Sequence, residues 1–193
     1  MELPVEIMSP REKLFTLIRE NAYKFSEEPF TLASGKKSRH YFNCKTITLH
    51  PERLSLLAKF LVETHIPSFM ETPQAVGGLT MGSDPICYAI SLAYSGENKT
   101  VFPVIVRKEA KGHGTGKQIE GITDSIRKCL IVDDVITTGG STLKAVRVLR
   151  EAGIEITDGI CLIDREEGGE AELKKEGIIL HPVFKKSEFG KLE

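Results

Sequence analysis

The residues from Lys128 to Val146 place a strand, a polar turn and a helix in one short stretch, KCLIVDDVITTGGSTLKAV. Cys129–Val132 gives four consecutive apolar residues, which is typical of a strand covered on both faces. Two carboxylates follow, and then a run of small and hydroxylic residues leads directly into a helical pattern. This order favours an α/β fold, which binds its ligands at the carboxyl ends of parallel strands.

The rest of the chain repeats this order. Apolar runs without period-2 alternation predict strands at Gln74–Leu79, Val101–Val106, Lys128–Val135 and Ile160–Ile163, and helices are predicted at Pro85–Tyr94 and Ser141–Glu151. Near the N-terminus we predict a helix from the Ser9 capping box to about Asn21, strand-like pieces at FTLAS and HYFNCKT, and a helix opened by Pro51. We therefore predict one α/β domain over residues 1–193, with a central parallel sheet flanked by helices and a small N-terminal cap of about 50 residues.

The charge and composition of the chain argue against several classes of protein. A formal net charge of −1 over 193 residues lacks the basic surface expected of a nucleic-acid binder. No apolar run approaches the roughly 18 residues that cross a bilayer, and prolines and glutamates interrupt the first residues where a secretory signal would be apolar. The four scattered cysteines suit reduced thiols in the core rather than a zinc site. We expect a cytoplasmic protein that binds neither nucleic acid nor membrane.

The turn after the Cys129 strand suits a phosphate monoester. Gly139 and Gly140 let successive N–H groups converge on one anion, to which the helix N-terminus adds a partial positive charge. Further donors are the hydroxyls of Thr137, Thr138 and Ser141. Asp133 and Asp134 can accept hydrogen bonds from ribose 2′- and 3′-hydroxyls and place negative charge beside an anomeric carbon that becomes cationic. The alternative is a structural turn whose glycines permit tight packing and whose Ser or Thr caps the helix.

The decapeptide VDDVITTGGS resembles the signature of the type I phosphoribosyltransferases, which use 5-phosphoribosyl 1-diphosphate (PRPP). The resemblance implies that PRPP is bound by Asp133, Asp134, Val135, Ile136, Thr137, Thr138, Gly139, Gly140 and Ser141. It also implies contacts from Thr80 and Met81, in the turn that meets the diphosphate. Many family members have a lysine at the position of Met81 and another at that of Ala33. Lys36 or Lys37 are candidates to replace those contacts.

A second segment, RKEAKGHGTGKQIEG, is similar to the catalytic loop of the orotate phosphoribosyltransferases. By this resemblance, Arg107, Lys111 and His113 reach the PRPP of a neighbouring subunit, and Lys108 serves its own. That implies a homodimer with shared active sites. Lys111 and His113 would neutralise the departing diphosphate, with His113 a candidate proton donor. The alternative is a solvated surface hairpin, where charge runs commonly lie.

Two further segments are similar to the base pocket of that family. TLASGKKS with Tyr41 and Phe42 resembles its pyrimidine-binding element, and Arg165 resembles the arginine that binds the orotate carboxylate, with Thr137 beside the ring. A guanidinium matches a carboxylate with two parallel hydrogen bonds. The alternatives are that at least one aromatic ring belongs to the core, and that Arg165 pairs with Glu166 or Asp164.

Taken together, the resemblance implies transfer of a phosphoribosyl group from PRPP to orotate, which yields orotidine 5′-monophosphate and diphosphate in pyrimidine biosynthesis. The catalytic residues would be Lys111, His113, Asp133 and Asp134. Mg²⁺ would be carried by PRPP, without a direct protein ligand. Two alternatives stay open: an enzyme of the same fold that acts on a purine or on uracil, and a regulator that senses PRPP without catalysis.

Overall fold

The computed structural model describes residues 8–31, 37–109 and 118–190. The helices are α1 (Pro10–Asn21), α2 (Lys45–Thr48), α3 (Pro51–Phe60), α4 (Asp84–Gly96), α5 (Gly140–Glu151) and α6 (Gly169–Lys175). The strands are β1 (Tyr23–Thr31), β2 (Lys37–Phe42), β3 (Ala75–Leu79), β4 (Phe102–Val106), β5 (Ile119–Glu120), β6 (Cys129–Ile136), β7 (Asp158–Asp164) and β8 (Ile179–Lys185). A π-helical turn, Leu61–His65, and a 3₁₀ turn, Ile66–Ser68, continue α3.

Six strands form the central sheet in the order β5-β4-β3-β6-β7-β8. The pairs from β4 through β8 are parallel, and the two-residue β5 is antiparallel to β4 at one edge. The predicted parallel sheet flanked by helices is therefore confirmed, with one antiparallel strand added. Because parallel strands run in one direction, the carboxyl ends of β3, β4, β6 and β7 all lie at the same edge.

Both faces of the sheet are buried, in agreement with apolar runs that lack alternation. Along β6, Leu130 and Val132 belong to the core cluster that also contains residues of α1, α3 and α4. Cys129 and Ile131 belong to the opposite cluster, with residues of α5 and α6. Successive residues thus point to opposite faces, and each face is covered by helices.

The N-terminal part forms a helix and a separate two-stranded sheet. At α1 the predicted capping box is present, since Ser9 accepts from the Glu12 N–H and the Glu12 carboxylate accepts from the Ser9 N–H. The strand predicted over HYFNCKT is too long: β2 ends at Phe42 and α2 begins at Lys45. Thr46 explains part of the difference, because its hydroxyl donates to the Asn21 and Asn43 carbonyls and holds the chain in a turn.

Among the numbered helices and strands of the described residues, four were not predicted: β5, α2, α6 and β8. The first has only two residues, α6 is short and highly charged, and His181 and Pro182 interrupt the apolar pattern of β8. All four cysteines are buried, as expected of small core side chains. Within the described ranges, no helix is long and apolar enough to cross a membrane.

Candidate active site

The turn between β6 and α5 has a left-handed backbone at one of its two glycines, Gly139, and Gly140 is the first residue of α5. Gly139 is the N-cap residue of α5 and adopts a φ of 80°, a left-handed conformation that glycine adopts without a steric penalty. No side chain caps this helix, so the capping alternative for Ser141 or the threonines is not what forms the turn. Thr138, Gly140 and Ser141 are exposed. Exposed donors at the start of a twelve-residue helix suit an anion.

The two aspartates at the end of β6 have different environments. Asp133 is buried, and its carboxylate accepts from the Thr142 hydroxyl at 2.8 Å and from the Asp134 N–H at 2.9 Å. Asp134 is partly exposed, and one of its oxygens accepts from the Val135 N–H at 2.9 Å. Asp134 is therefore the more accessible carboxylate, whereas Asp133 is held against the first turn of α5.

Burial and the neighbouring charge of Asp134 raise the pKa of Asp133 to about 7. The hydrogen bonds from Thr142 and from the Asp134 backbone act in the opposite direction, because they stabilise the ionised form. Asp133 therefore holds its proton to a higher pH than an exposed carboxyl does. Carboxyls with raised pKa values in a polar cleft are candidates for a functional role, as the sequence pattern also indicated.

The turn after β3 lies directly against these aspartates. A side chain added at Gly82 would place its Cβ 2.6 Å from Asp134 Oδ1 and 2.9 Å from Asp133 Oδ1, so the two carboxylates would have to shift to admit it. In the same turn Met81 is exposed, and the Thr80 hydroxyl donates to Asp84 at 2.7 Å. Thr80 and Met81, which are predicted to contact the diphosphate of PRPP, therefore lie in the turn that packs against Asp133 and Asp134.

The basic segment, residues 107–117, connects β4 with β5. Arg107 follows β4, its N–H donates to the Gln118 carbonyl at 2.9 Å, and its guanidinium lies 3.5 Å from the Glu120 carboxylate. Arg107 and Lys108 are exposed at the edge where β6 ends. Lys111 and His113 lie outside the described residues.

Arg165 lies beside the turn at the end of the neighbouring strand, β7. Its N–H donates to the Ile136 carbonyl at 2.9 Å, and its side chain is 95% buried. The guanidinium Nη2 lies 2.9 Å from Glu167 Oε1 in an ion pair and donates a hydrogen bond to the His40 carbonyl at 3.2 Å. Nε is buried without a hydrogen-bond partner among the described residues. The expected ion pair exists, but its partner is Glu167.

Glu166 points elsewhere, since its carboxylate accepts from the Ser187 N–H at 2.7 Å and from the Ser187 hydroxyl. Asp164 accepts from the Glu166 N–H at 2.9 Å. Neither carboxylate therefore pairs with the Arg165 guanidinium. The unpartnered Nε is a buried cationic donor, and such a donor is costly unless an acceptor is supplied.

Tyr41 and Phe42 point to opposite faces of β2, as neighbours on a strand must. Tyr41 is 39% exposed, with its ring 5.4 Å from that of Phe30. Phe42 is buried and packs against Tyr23 and Phe189 at ring distances of 5.1 Å. The side chain of Phe42 thus belongs to the core. Only Tyr41 presents its ring, and Phe42 can offer a ligand only its backbone.

Lys37, the described candidate to replace a missing lysine, is exposed at the start of β2. Ala33 and Lys36 lie outside the described residues. Four residues of the site were not singled out from the sequence: His40, Gly82, Thr142 and Glu167. The i, i+2 spacing from Arg165 could have suggested Glu167, whereas nothing local connects His40 with Arg165, 125 residues away.

Comparison with known proteins agrees with this geometry. The phosphoribosyl transferase domain family matches residues 44–188. An orotate phosphoribosyltransferase of Leptospira biflexa is 61% identical over 181 residues, which cover 94% of this chain and 98% of that protein. A crystal structure of Mycobacterium tuberculosis orotate phosphoribosyltransferase with Fe(III) dicitrate has 30% identity and a TM-score of 0.79, over 94% of this chain and 99% of the other. The same enzyme in complex with PRPP has 27% identity and a TM-score of 0.75, with the same two coverages.

Proposed function

Because this chain belongs to the phosphoribosyltransferase family, and within it to the orotate phosphoribosyltransferases, we propose that it transfers the phosphoribosyl group of PRPP to orotate. The products are orotidine 5′-monophosphate and diphosphate, and the reaction serves pyrimidine biosynthesis. The observation that carries this proposal is the position of Arg165, whose backbone N–H donates to Ile136, the last residue before the phosphate turn, Thr137–Ser141. A buried guanidinium, which is suited to binding a carboxylate, therefore lies beside the turn that we propose to bind ribose phosphate.

The turn from Thr137 to Ser141 binds the 5′-phosphate through backbone N–H groups, hydroxyls and the N-terminus of α5. Asp134, the more accessible carboxylate, accepts from the ribose hydroxyls. Asp133 lies behind it and adds negative charge near the anomeric carbon. As the diphosphate leaves, that carbon gains positive charge, and nearby carboxylates stabilise it more than they stabilise the ground state. Orotate attacks from the opposite face, so the configuration inverts.

On the base side, Arg165 Nε donates to the orotate carboxylate, while Tyr41 and Thr137 contact the ring. Nη2 is already held by Glu167 and His40, which limits the orientations of the guanidinium. A guanidinium that is already oriented loses less conformational entropy when it binds a ligand. A base without a carboxylate leaves the buried Nε unpaired, which favours orotate over uracil and the purines.

Mg²⁺ would be carried by PRPP, whose diphosphate and hydroxyls are the hard oxygen donors that this cation prefers. The described residues contain no group of three or more His, Cys, Asp or Glu side chains placed to hold a metal ion. The two carboxylates at the end of β6 are compatible with a hydroxyl-bound cation beside them. When bound, Mg²⁺ neutralises charge on the leaving diphosphate.

Incubation of the protein with PRPP, Mg²⁺ and orotate tests the proposal, with orotate absorbance as the readout. Adenine, hypoxanthine, guanine and uracil are offered in parallel, and only orotate should be consumed. Consumption of a different base would establish the same-fold alternative. Binding of PRPP without turnover of any base would favour a PRPP-sensing regulator.

The basic segment is proposed to act across a homodimer in the cytoplasm, with Lys111 on the partner's diphosphate. Lys111→Ala should lower kcat by on the order of 100-fold, since it removes a cation from the departing charge. Lys128→Ala, which removes a surface lysine paired with Glu155, is the matched control and should retain full activity.

Mixing Lys111→Ala with Asp134→Asn subunits tests the shared site. In a mixed dimer the Lys111→Ala subunit keeps its aspartates and receives an intact segment from its partner. Random exchange should then restore roughly a quarter of the wild-type sites. No recovery, with exchange verified by a size or mass tag, would contradict sharing between subunits.

A further inference from the structure

The phosphate turn, Thr137–Ser141, packs against Gly169, the second of two adjacent glycines, Gly168 and Gly169. They end the loop that begins at Arg165 and start α6. The Gly169 N–H donates to the Thr137 carbonyl at 2.9 Å, and Gly169 is buried. Thr137 begins the run of donors that binds the 5′-phosphate in the proposed function. Gly169 therefore contacts a buried part of the turn, whereas Thr138, Gly140 and Ser141 of the same turn are exposed.

No side chain fits between Gly169 and the turn. A Cβ at Gly169 would lie 2.7 Å from the Thr137 carbonyl oxygen and 3.1 Å from the Gly139 nitrogen, and closer still to Ile136 Cγ2. From the other side, a Cβ at Gly139 would lie 3.3 Å from the Gly169 carbonyl oxygen. The two backbones are thus in direct contact, and two of the three nearest atoms at Gly169 are backbone atoms of the turn.

These neighbours cannot yield without moving the turn. Ile136 is buried at the end of β6, so its methyl group has little room. The Thr137 carbonyl and the Gly139 nitrogen are backbone atoms within the proposed anion site. An added methyl group would push the turn outward and disturb the convergence of its N–H groups. Arg165 is tied to Ile136 by a separate hydrogen bond four residues earlier, so the base side is less affected.

We propose that Gly169 is a positioning residue for the 5′-phosphate of PRPP, acting through the backbone of Thr137–Gly139. This inference rests on the proposed function, since it assigns that phosphate to the turn. It predicts that a side chain at position 169 weakens recognition of the phosphate while recognition of orotate is largely kept.

The test compares Gly169→Ala with Gly168→Ala. Gly168 has a φ of 100° and nothing within 4 Å of an added Cβ, so its substitution strains the backbone without touching the turn. Gly169→Ala should raise the KM for PRPP at least about tenfold and leave the KM for orotate within about twofold. Gly168→Ala should lower the melting temperature and leave both KM values near those of the wild type.

Product binding isolates the phosphate contact. Wild-type protein should bind orotidine 5′-monophosphate much more tightly than orotidine, which lacks the phosphate, and Gly169→Ala should lose most of that difference. If the variant is too unstable to purify, the Ile136→Ala, Gly169→Ala double variant removes the nearest contact and keeps the clash with the Thr137 carbonyl. Ile136→Ala alone is its reference.

Unchanged preference for the phosphorylated product in Gly169→Ala would overturn the inference. Equal loss of PRPP and orotate binding, together with a lower melting temperature, would also overturn it, because a general structural defect would then explain the data. Failure of the wild-type protein to convert orotate would contradict the proposed function instead. The two failures are therefore distinguishable in one set of assays.

Discussion

The phosphate side and the base side of the site are built in different ways. The turn from Asp133 to Ser141 is one continuous stretch, and its hydrogen bonds from Asp134 and Val135 join residues next to each other in the chain. Arg165 is instead held by Ile136, by His40 of β2 and by Glu167. A local turn follows from local residue types, whereas a pocket assembled from distant segments depends on how those segments pack.

The largest expected effect is a loss of PRPP binding on the phosphate side. Gly139→Ala forces a side chain into the left-handed region at a cost of about 1–2 kcal/mol and meets Gly169. Loss of two charge-assisted hydrogen bonds to phosphate would raise the KM for PRPP roughly 100-fold. Steady-state kinetics at saturating orotate measure this.

Gly153→Ala is the matched control, because Gly153 has nearly the same φ, 81°, and nothing within 4 Å of an added Cβ. Both variants should lose stability in urea unfolding because both strain the backbone, while only Gly139→Ala should lose affinity for PRPP. A similar kinetic defect in both would show that strain, not the anion site, is responsible.

The second largest effect is a loss of orotate binding on the base side alone. Arg165→Ala should raise the KM for orotate by about 10- to 100-fold, as expected for loss of a charged hydrogen bond, and should change the KM for PRPP little. The variant also leaves the Glu167 carboxylate partly buried without its cation, so some stability is lost. Orotate and PRPP titrations at saturating cosubstrate separate the two sides.

Arg150→Ala serves as the comparison, because Arg150 donates to the Ile156 and Glu176 carbonyls, and neither residue belongs to the candidate site. It should reduce stability without a change in either KM. An Arg165→Ala defect in PRPP binding as large as that in orotate binding would mean that the two sides are not separable.

The smallest effect is the pH dependence from Asp133, whose folded pKa is raised to about 7 from 3.8. Between these values the folded state binds more protons than the unfolded state, so the free energy of unfolding falls as pH rises. Below about pH 4 and above about pH 7 the contribution of this group is constant. Urea unfolding from pH 4 to 8 should show the fall in the wild type.

Asp133→Asn should flatten that part of the profile, because the amide does not titrate. Steady-state kinetics give a second readout. If catalysis requires ionised Asp133, kcat/KM for PRPP should rise with pH through an apparent pKa near 7. A wild-type profile identical to that of Asp133→Asn would show that Asp133 does not titrate in this range.

Much of the fold follows from patterns within single elements. Continuous apolar runs predicted β3, β4, β6 and β7 to within about two residues, because burial on both faces requires apolar side chains throughout. The pattern failed at Asn43–Thr46, where side-chain hydrogen bonds favour a turn, and at β8, where His181 and Pro182 interrupt it. In the site, Thr142 and Gly82 were missed because their importance lies in what they contact.

Residue types alone determined the phosphate turn. A glycine supplies its left-handed backbone, and two carboxylates at the carboxyl end of a parallel strand lie where such sheets bind their ligands. Only the tertiary structure decided which of Tyr41 and Phe42 is exposed, which carboxylate holds Arg165, and that Gly169 supports Gly139. Those outcomes depend on contacts between residues far apart in the chain. The directions of side chains across such contacts are set by packing, which no local pattern of residues encodes.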